Sequence, residues 1–166
     1  MTENHPTPKV GVLLPPDEKD GLRRYALDHL VTYGETSMAG FVYFSRLIDW
    51  QGKLRETVAV DMTPDYARGL TEGRLMLTQS VSCEYVSEIK FGESISLRVT
   101  VPMVRGFRML GDFTFYRGSG AGEELVAHGT QLWVNADAHG TPSPWPADMI
   151  TFSRLLGADV SGATAE

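Results

Sequence analysis

Only one cysteine, Cys83, stands in the chain, which excludes an intramolecular disulfide and every zinc motif built from paired cysteines. Long apolar runs are missing as well. No stretch approaches the run of about 18 apolar residues that a membrane span needs. Met1-Thr2-Glu3-Asn4-His5-Pro6 has neither the basic nor the apolar region of a secretory signal. The expectation is a soluble, cytoplasmic protein with no membrane partner. Positive charge is scarce: 15 Lys and Arg against 21 Asp and Glu leave a net −6. That is a poor footprint for neutralising phosphates, so no nucleic-acid partner is expected.

Several catalytic signatures are absent too. There is no Gly-x-Ser-x-Gly elbow, no His-Glu-x-x-His and no phosphate loop ending in Gly-Lys-Ser or Gly-Lys-Thr. The tract Gly118-Ser119-Gly120-Ala121-Gly122 is followed by Glu123 and Glu124, where a helix N-terminus would welcome an anion, and it reads as a flexible hairpin.

What is present suits one folded domain. The 166 residues are 42% hydrophobic and 22% charged, enough to bury a core without covalent staples. Pro6, Pro8, Pro15 and Pro16 mark residues 1–21 as a loosely ordered leader. Residues 22–158 form the domain, and 159–166, small and polar, form a frayed tail.

Hydrophobic periodicity changes in an informative order along the domain. His29 to Thr36 reads as a first strand. From Phe41 to about Asp61, Phe44, Leu47, Ile48, Leu54 and Val58 fall within an arc of about 120° on a helical wheel, which predicts a long amphipathic helix ended by Pro64. Four period-two segments follow: Leu75 to Tyr85, Ser94 to Val101, Phe107 to Arg117 and Leu125 to Asn135. Short gaps between them mean antiparallel hairpins. Ala147 to Leu156 reads as a closing helix ended by Gly157. Strand, long helix and then four meandering strands make an α+β fold with one antiparallel sheet. A single hot-dog domain, its sheet wrapped around one long central helix, is the arrangement expected; element order alone also fits other α+β sandwiches.

Two places depart from ordinary packing. With Phe44 at zero on the wheel, Arg55 falls at about 20° and Gln51 at about 340°, inside the apolar stripe. A guanidinium there wants a carboxylate, a carbonyl cluster, water or a ligand, or else it snorkels at the helix end. The junction Glu35-Thr36-Ser37-Met38-Ala39-Gly40 leaves orphan amide donors at the helix start, which suit an oxyanion or a thioester carbonyl. Ser37 either caps this region, the commoner role for Ser before a helix, or joins the chemistry. Cys83 reads as a packed thiol rather than a nucleophile. His128, in a strand, is open between a surface role and a general base.

The run Glu35-Thr36-Ser37-Met38-Ala39-Gly40-Phe41-Val42-Tyr43-Phe44, continued through Asp49-Trp50-Gln51-Gly52-Lys53-Leu54-Arg55-Glu56, resembles hot-dog thioesterases of the 4-hydroxybenzoyl-CoA thioesterase-like group. It is most similar to those of enediyne polyketide pathways. The resemblance is strong over about 22 residues and looser from 29 to 135. It implies an acyl-thioester substrate on an acyl carrier protein or coenzyme A, a homodimer or dimer of dimers, and a site near the helix start. The catalytic residues it implies are Arg55, Ser37 and the backbone amide of Phe44 as oxyanion donor. Gly40, Phe41, Tyr43, Leu47 and Gln51 are implied around the substrate.

Departures from the family's pattern and one distance matter: Leu47 stands where the enediyne branch has Tyr, and Phe41 where Asn is common after the family's Gly. Ser37 stands where the coenzyme-A branch carries Asp and the enediyne branch Asn, and a hydroxyl without an adjacent base has little basicity. Phe44 and Arg55 are about 16 Å apart along a helix. The expected function is hydrolytic release of an acyl or polyketide chain from its carrier in an antibiotic-type polyketide pathway, without metal or organic cofactor. The alternatives are cyclisation or dehydration of the tethered chain, and non-catalytic chain binding. Arg98, Arg105, Arg108 and Arg117 are either a landing patch for an acidic carrier or scattered solvated charge.

Overall fold

The structure, a computed structural model, describes residues 9–163. In chain order its elements are β1 (Val12–Leu13), β2 (Tyr25–Leu30), α1 (Ser45–Met62), α2 (Pro64–Thr71), β3 (Leu75–Val81), β4 (Glu84–Tyr85), β5 (Ser94–Arg105), β6 (Arg108–Arg117), β7 (Glu124–Ala136), α3 (Ala147–Leu156) and β8 (Asp159–Gly162). Among the described residues the eight strands form one sheet in the order β1-β2-β5-β6-β7-β3, with β4 also on β7 and β8 on β5. Every pairing is antiparallel except β5 with β8.

The sheet curls around α1, as expected of an α+β hot-dog domain. Leu47, Trp50, Leu54 and Val58 of α1 share one core with Leu97 and Val99 of β5 and Phe113 and Phe115 of β6. Trp50 meets Phe115 edge-on at 6.3 Å between ring centroids. Each such side chain removed from water contributes about 1.5–3 kcal/mol, so this seam holds helix and sheet together. Among the described residues no helix is long and apolar enough to cross a membrane.

Several elements differ from expectation, for physical reasons. The strand expected at His29–Thr36 lies earlier, as β2 at Tyr25–Leu30, because the Glu35 carboxylate reaches back to Thr32 N (2.7 Å) and Oγ1 (2.8 Å) and closes a 3-10 turn at Tyr33–Glu35. Helix α1 starts at Ser45 rather than Phe41. Val42 N donates to Ile89 O (2.7 Å) and Ser37 N to Phe41 O (2.7 Å), which holds Phe41 and Val42 extended. Its buried stripe is turned toward Trp50, leaving Phe44 57% exposed. Pro64 begins a second short helix, its fixed φ fitting the first helical position.

The expected strand from Leu75 to Tyr85 is broken into β3 and β4. As a sheet edge β3 is exposed rather than half-buried, with Leu77 and Val81 over 40% accessible. At the ends, residues 1–8 and 164–166 lie outside the described residues. Inside the expected leader, β1 pairs with β2, and Asp61 accepts from Val10 N (2.7 Å) and Gly11 N (3.0 Å). Inside the expected tail, β8 joins β5 and Ala163 is buried.

Candidate active site

The loop before α1 is built as a tight turn. Gly40 N donates to Ser37 O at 2.9 Å, and Gly40 has φ +83°, a conformation costly for any residue with a Cβ. Ser37 Oγ accepts from Ala39 N at 3.3 Å. The hydroxyl therefore caps this turn, not α1. Downstream, Tyr43 N donates to Glu35 O (2.9 Å), and Tyr43 stacks against Phe44 at 4.7 Å.

Phe44 is the residue from which α1 springs. Among the described residues no acceptor takes its N–H, while Tyr85 Oη donates to its carbonyl at 2.8 Å. A cleft of about 310 Å³ opens here, lined by Phe41, Phe44, Leu47, Tyr85, Glu88 and Ile89. The expected site residues Phe41, Phe44 and Leu47 thus converge, with Tyr43 packed behind Phe44 and Ser37 and Gly40 in the adjoining turn. The wall from Tyr85 to Ile89 has no counterpart in the expected list. It reaches the helix start through the Val42–Ile89 hydrogen bond and the Phe41–Lys90 bridge, contacts between segments more than 40 residues apart.

Beneath the loop, Glu35 is a structural centre. Its Oε1 accepts from His29 Nε2 and Trp50 Nε1, each at 2.8 Å, and Lys53 Nζ lies 3.4 Å from His29 Nδ1. Burial pushes this carboxyl up, but the hydrogen bonds from Thr32 and Trp50 and the nearby His29 outweigh it, and the pKa falls to about 2. Glu35 is therefore ionised and tied on three sides, holding strand, loop and helix in one geometry.

Arg55 and Gln51 stand elsewhere. Arg55 Nη1 donates to Thr78 Oγ1 (2.8 Å) and Gln131 Oε1 (3.3 Å). Among the described residues no carboxylate lies within 4.0 Å of it, although Asp49 and Glu56 line the same groove of about 440 Å³. Gln51, fully buried, donates to Ser82 O (2.9 Å) and accepts from Gln131 Nε2 (3.1 Å). One chain therefore does not bring Arg55 to Phe44: they line separate clefts, and the two residues stand about 16 Å apart along the helix axis. Gln131 escaped sequence reasoning, although its polar side chain at the inward phase of β7, two residues before buried Trp133, is a readable signal.

The remaining candidates are accounted for locally. Burial pushes the Cys83 thiol up, away from reactivity. His128 faces Glu84 across the strand pair at 3.3 Å. Arg98 binds Glu123 through both terminal nitrogens and stacks on Tyr116; Arg117 pairs with Glu93 (3.4 Å) and Glu124 (3.2 Å). Arg108 lies over Phe107 and donates to Gln79. Two of the four arginines are thus neutralised by partners in the chain, against a shared landing patch. Among the described residues no three His, Cys, Asp or Glu side chains cluster as metal ligands.

Comparison with known proteins places this geometry in context. The family described as the thioesterase-like superfamily matches residues 31–152. Among solved structures, the dynemicin thioesterase, crystallised in a study of polyene binding, is similar at 26% identity with a TM-score of 0.76, over 82% of this chain and 99% of that one. A 4-hydroxybenzoyl-CoA thioesterase complexed with 4-hydroxybenzoyl-CoA shares the fold at 15% identity and a TM-score of 0.69, over 78% of this chain and 98% of that one. A 1,4-dihydroxy-2-naphthoyl-CoA thioesterase from Synechocystis does so at 15% and 0.68, over 81% and 98%. No curated protein sequence matches the chain.

Proposed function

Because the chain belongs to the thioesterase-like superfamily, we propose that it is a thioester hydrolase that releases an acyl or polyketide chain from an acyl carrier protein in a polyketide pathway. The observation that carries this reading is the unclaimed Phe44 N–H at the start of α1, on the wall of the cleft. A thioester carbonyl seated there accepts that hydrogen bond, and the positive end of the helix dipole adds to its polarisation.

Water then attacks the carbonyl carbon, and the oxygen's developing charge rests on the Phe44 amide. Collapse re-forms the carbonyl, breaks the carbon–sulfur bond and expels the carrier's thiolate. Glu88, the acidic residue among those lining the cleft, takes the proton of the attacking water and returns it to the leaving sulfur. Ser37, in the adjoining turn, hydrogen-bonds the water or the carbonyl; lacking basicity, it does not replace the acid. Arg55 acts at a distance from Phe44, on oxygen atoms farther along the chain or at the site of a partner copy.

The aromatic residues Phe41, Phe44 and Tyr85 suit a flat, conjugated chain, and the likeness to the dynemicin thioesterase, studied for polyene binding, supports a chain of that kind. The exposed β3 edge, with Leu77 and Val81 accessible, supports association of copies into a homodimer or dimer of dimers. Incubation with an acyl carrier thioester tests the activity: free carrier thiol and free acid in equal amounts are expected, and an unchanged thioester contradicts it.

A further inference from the structure

Among the described residues Arg55 is held by neutral acceptors alone, and the bonding around them has only one sense. The indole N–H of Trp133 can only donate, and the Ser82 carbonyl can only accept. Between these fixed ends, Trp133 Nε1 donates to Gln131 Oε1 (2.7 Å), Gln131 Nε2 to Gln51 Oε1 (3.1 Å), and Gln51 Nε2 to Ser82 O (2.9 Å). Flipping Gln131 would face donor to donor at Trp133; flipping Gln51 would face acceptor to acceptor at Ser82. The chain therefore turns Gln131 Oε1 toward Arg55 Nη1. Both amides are buried, Gln131 to 4% exposure and Gln51 to 0%, so neither reorients without stranding a polar group.

Thr78 Oγ1, on exposed β3, supplies the second acceptor to the same nitrogen. Both contacts fall on Nη1. Among the described residues Nε and Nη2 have no partner, so the edge of the guanidinium that grips paired oxygens bidentately is left open. The charged groups lining this groove beside Arg55 are Asp49, Lys53 and Glu56 of α1, and among the described residues neither carboxylate pairs with Arg55.

We propose that Gln131 and Thr78 are positioning residues: they aim Arg55 through Nη1 without neutralising it, and so present its Nε/Nη2 edge to an anionic oxygen or a pair of carbonyl oxygens on the acyl chain. The inference rests on the thioesterase reading above, in which Arg55 acts on that chain. A carboxylate at position 131 would do the opposite, pairing with the guanidinium and cancelling its charge.

The test measures kcat and KM for an acyl-pantetheine thioester, together with thermal unfolding, in Thr78→Val, Thr78→Ser, Gln131→Glu and Arg55→Ala. Thr78→Val is expected to lower kcat about tenfold with an unchanged unfolding midpoint, because misplacing a catalytic group by a fraction of an ångström is costly. Thr78→Ser, which keeps the hydroxyl, restores turnover to within about twofold of the unaltered protein, and Gln131→Glu loses about tenfold or more. Wild-type kcat in both Thr78→Val and Gln131→Glu, with Arg55→Ala impaired, overturns the positioning role and leaves the thioesterase reading intact. Wild-type kcat in Arg55→Ala overturns the inference and the role given to that arginine together. If Gln131→Glu does not fold, the two variants at exposed Thr78 decide the matter alone.

Discussion

Trp50 Nε1 donates to Glu35 Oε1 at 2.8 Å, tying the second turn of α1 to the loop that delivers the Phe44 amide. This contact, shared with His29, fixes the angle at which the helix start meets the cleft. Glu35→Gln removes the charge and offers donors where donors already point, leaving buried groups unmatched at a cost of roughly 1–3 kcal/mol. Thermal unfolding and turnover are expected to fall together, because loop and helix start move as one.

The same carboxylate sets an acid limit on stability. Its folded pKa of about 2 lies below the ordinary value of 4.5, so its stabilising contribution is fully present above 4.5 and is lost as pH falls toward 2. Acid unfolding of the unaltered protein and of Glu35→Gln should therefore converge as the pH drops through that window. A stability gap that stays constant from neutral pH to 2 contradicts the assignment.

Gly129 packs where Ser82 O would lie 2.2 Å, and Gln51 Nε2 2.6 Å, from an added Cβ. Gly129→Ala must therefore push β7 from the Ser82–Cys83 segment or break the Gln51–Ser82 hydrogen bond. A loss on the order of 1–3 kcal/mol is expected by denaturant titration, with turnover reduced through Arg55. Full stability in this variant would show that the glutamine chain tolerates displacement.

Arg55→Ala is expected to lower kcat about 10²- to 10³-fold while light scattering gives the same mass as for the unaltered protein. Arg55→Lys should rescue little, because an ammonium lacks the forked donors of a guanidinium. Near-complete rescue by Lys would reduce the role of Arg55 to a point charge.

Glu88→Gln keeps the shape of the cleft wall and removes its base. Turnover should fall about 10²-fold with KM nearly unchanged, and binding of a non-hydrolysable acyl-pantetheine should persist. Unaltered kcat would move proton transfer to another group.

How much of this was legible in the residues follows from the range of each interaction. The α1 pattern and the anomaly of Arg55 are visible within one helical wheel, and the Thr32-x-x-Glu35 spacing that ends β2 is a local capping pattern. The partners of Arg55, by contrast, are 23 and 76 residues away, and the meeting of Thr78 with Gln131 beside it depends on the register of β3 against β7, which includes a bulge between Thr78 and Ser80. The late start of α1 has the same origin, since Ile89 captures Val42 N from another part of the chain. Helical periodicity carries no trace of that competition. The exposure of β3 is likewise a property of sheet order: an edge strand alternates in sequence like any other, but has a neighbour on one side only.

Hydrolysis of a carrier-bound chain is tested most directly by letting the protein act on an acyl carrier thioester in water labelled with heavy oxygen and weighing the product by mass spectrometry. A free acid carrying one labelled oxygen, with the carrier returned as its thiol, is the expected result. A chain that leaves the carrier unlabelled, as in cyclisation, or that stays bound and unchanged contradicts it.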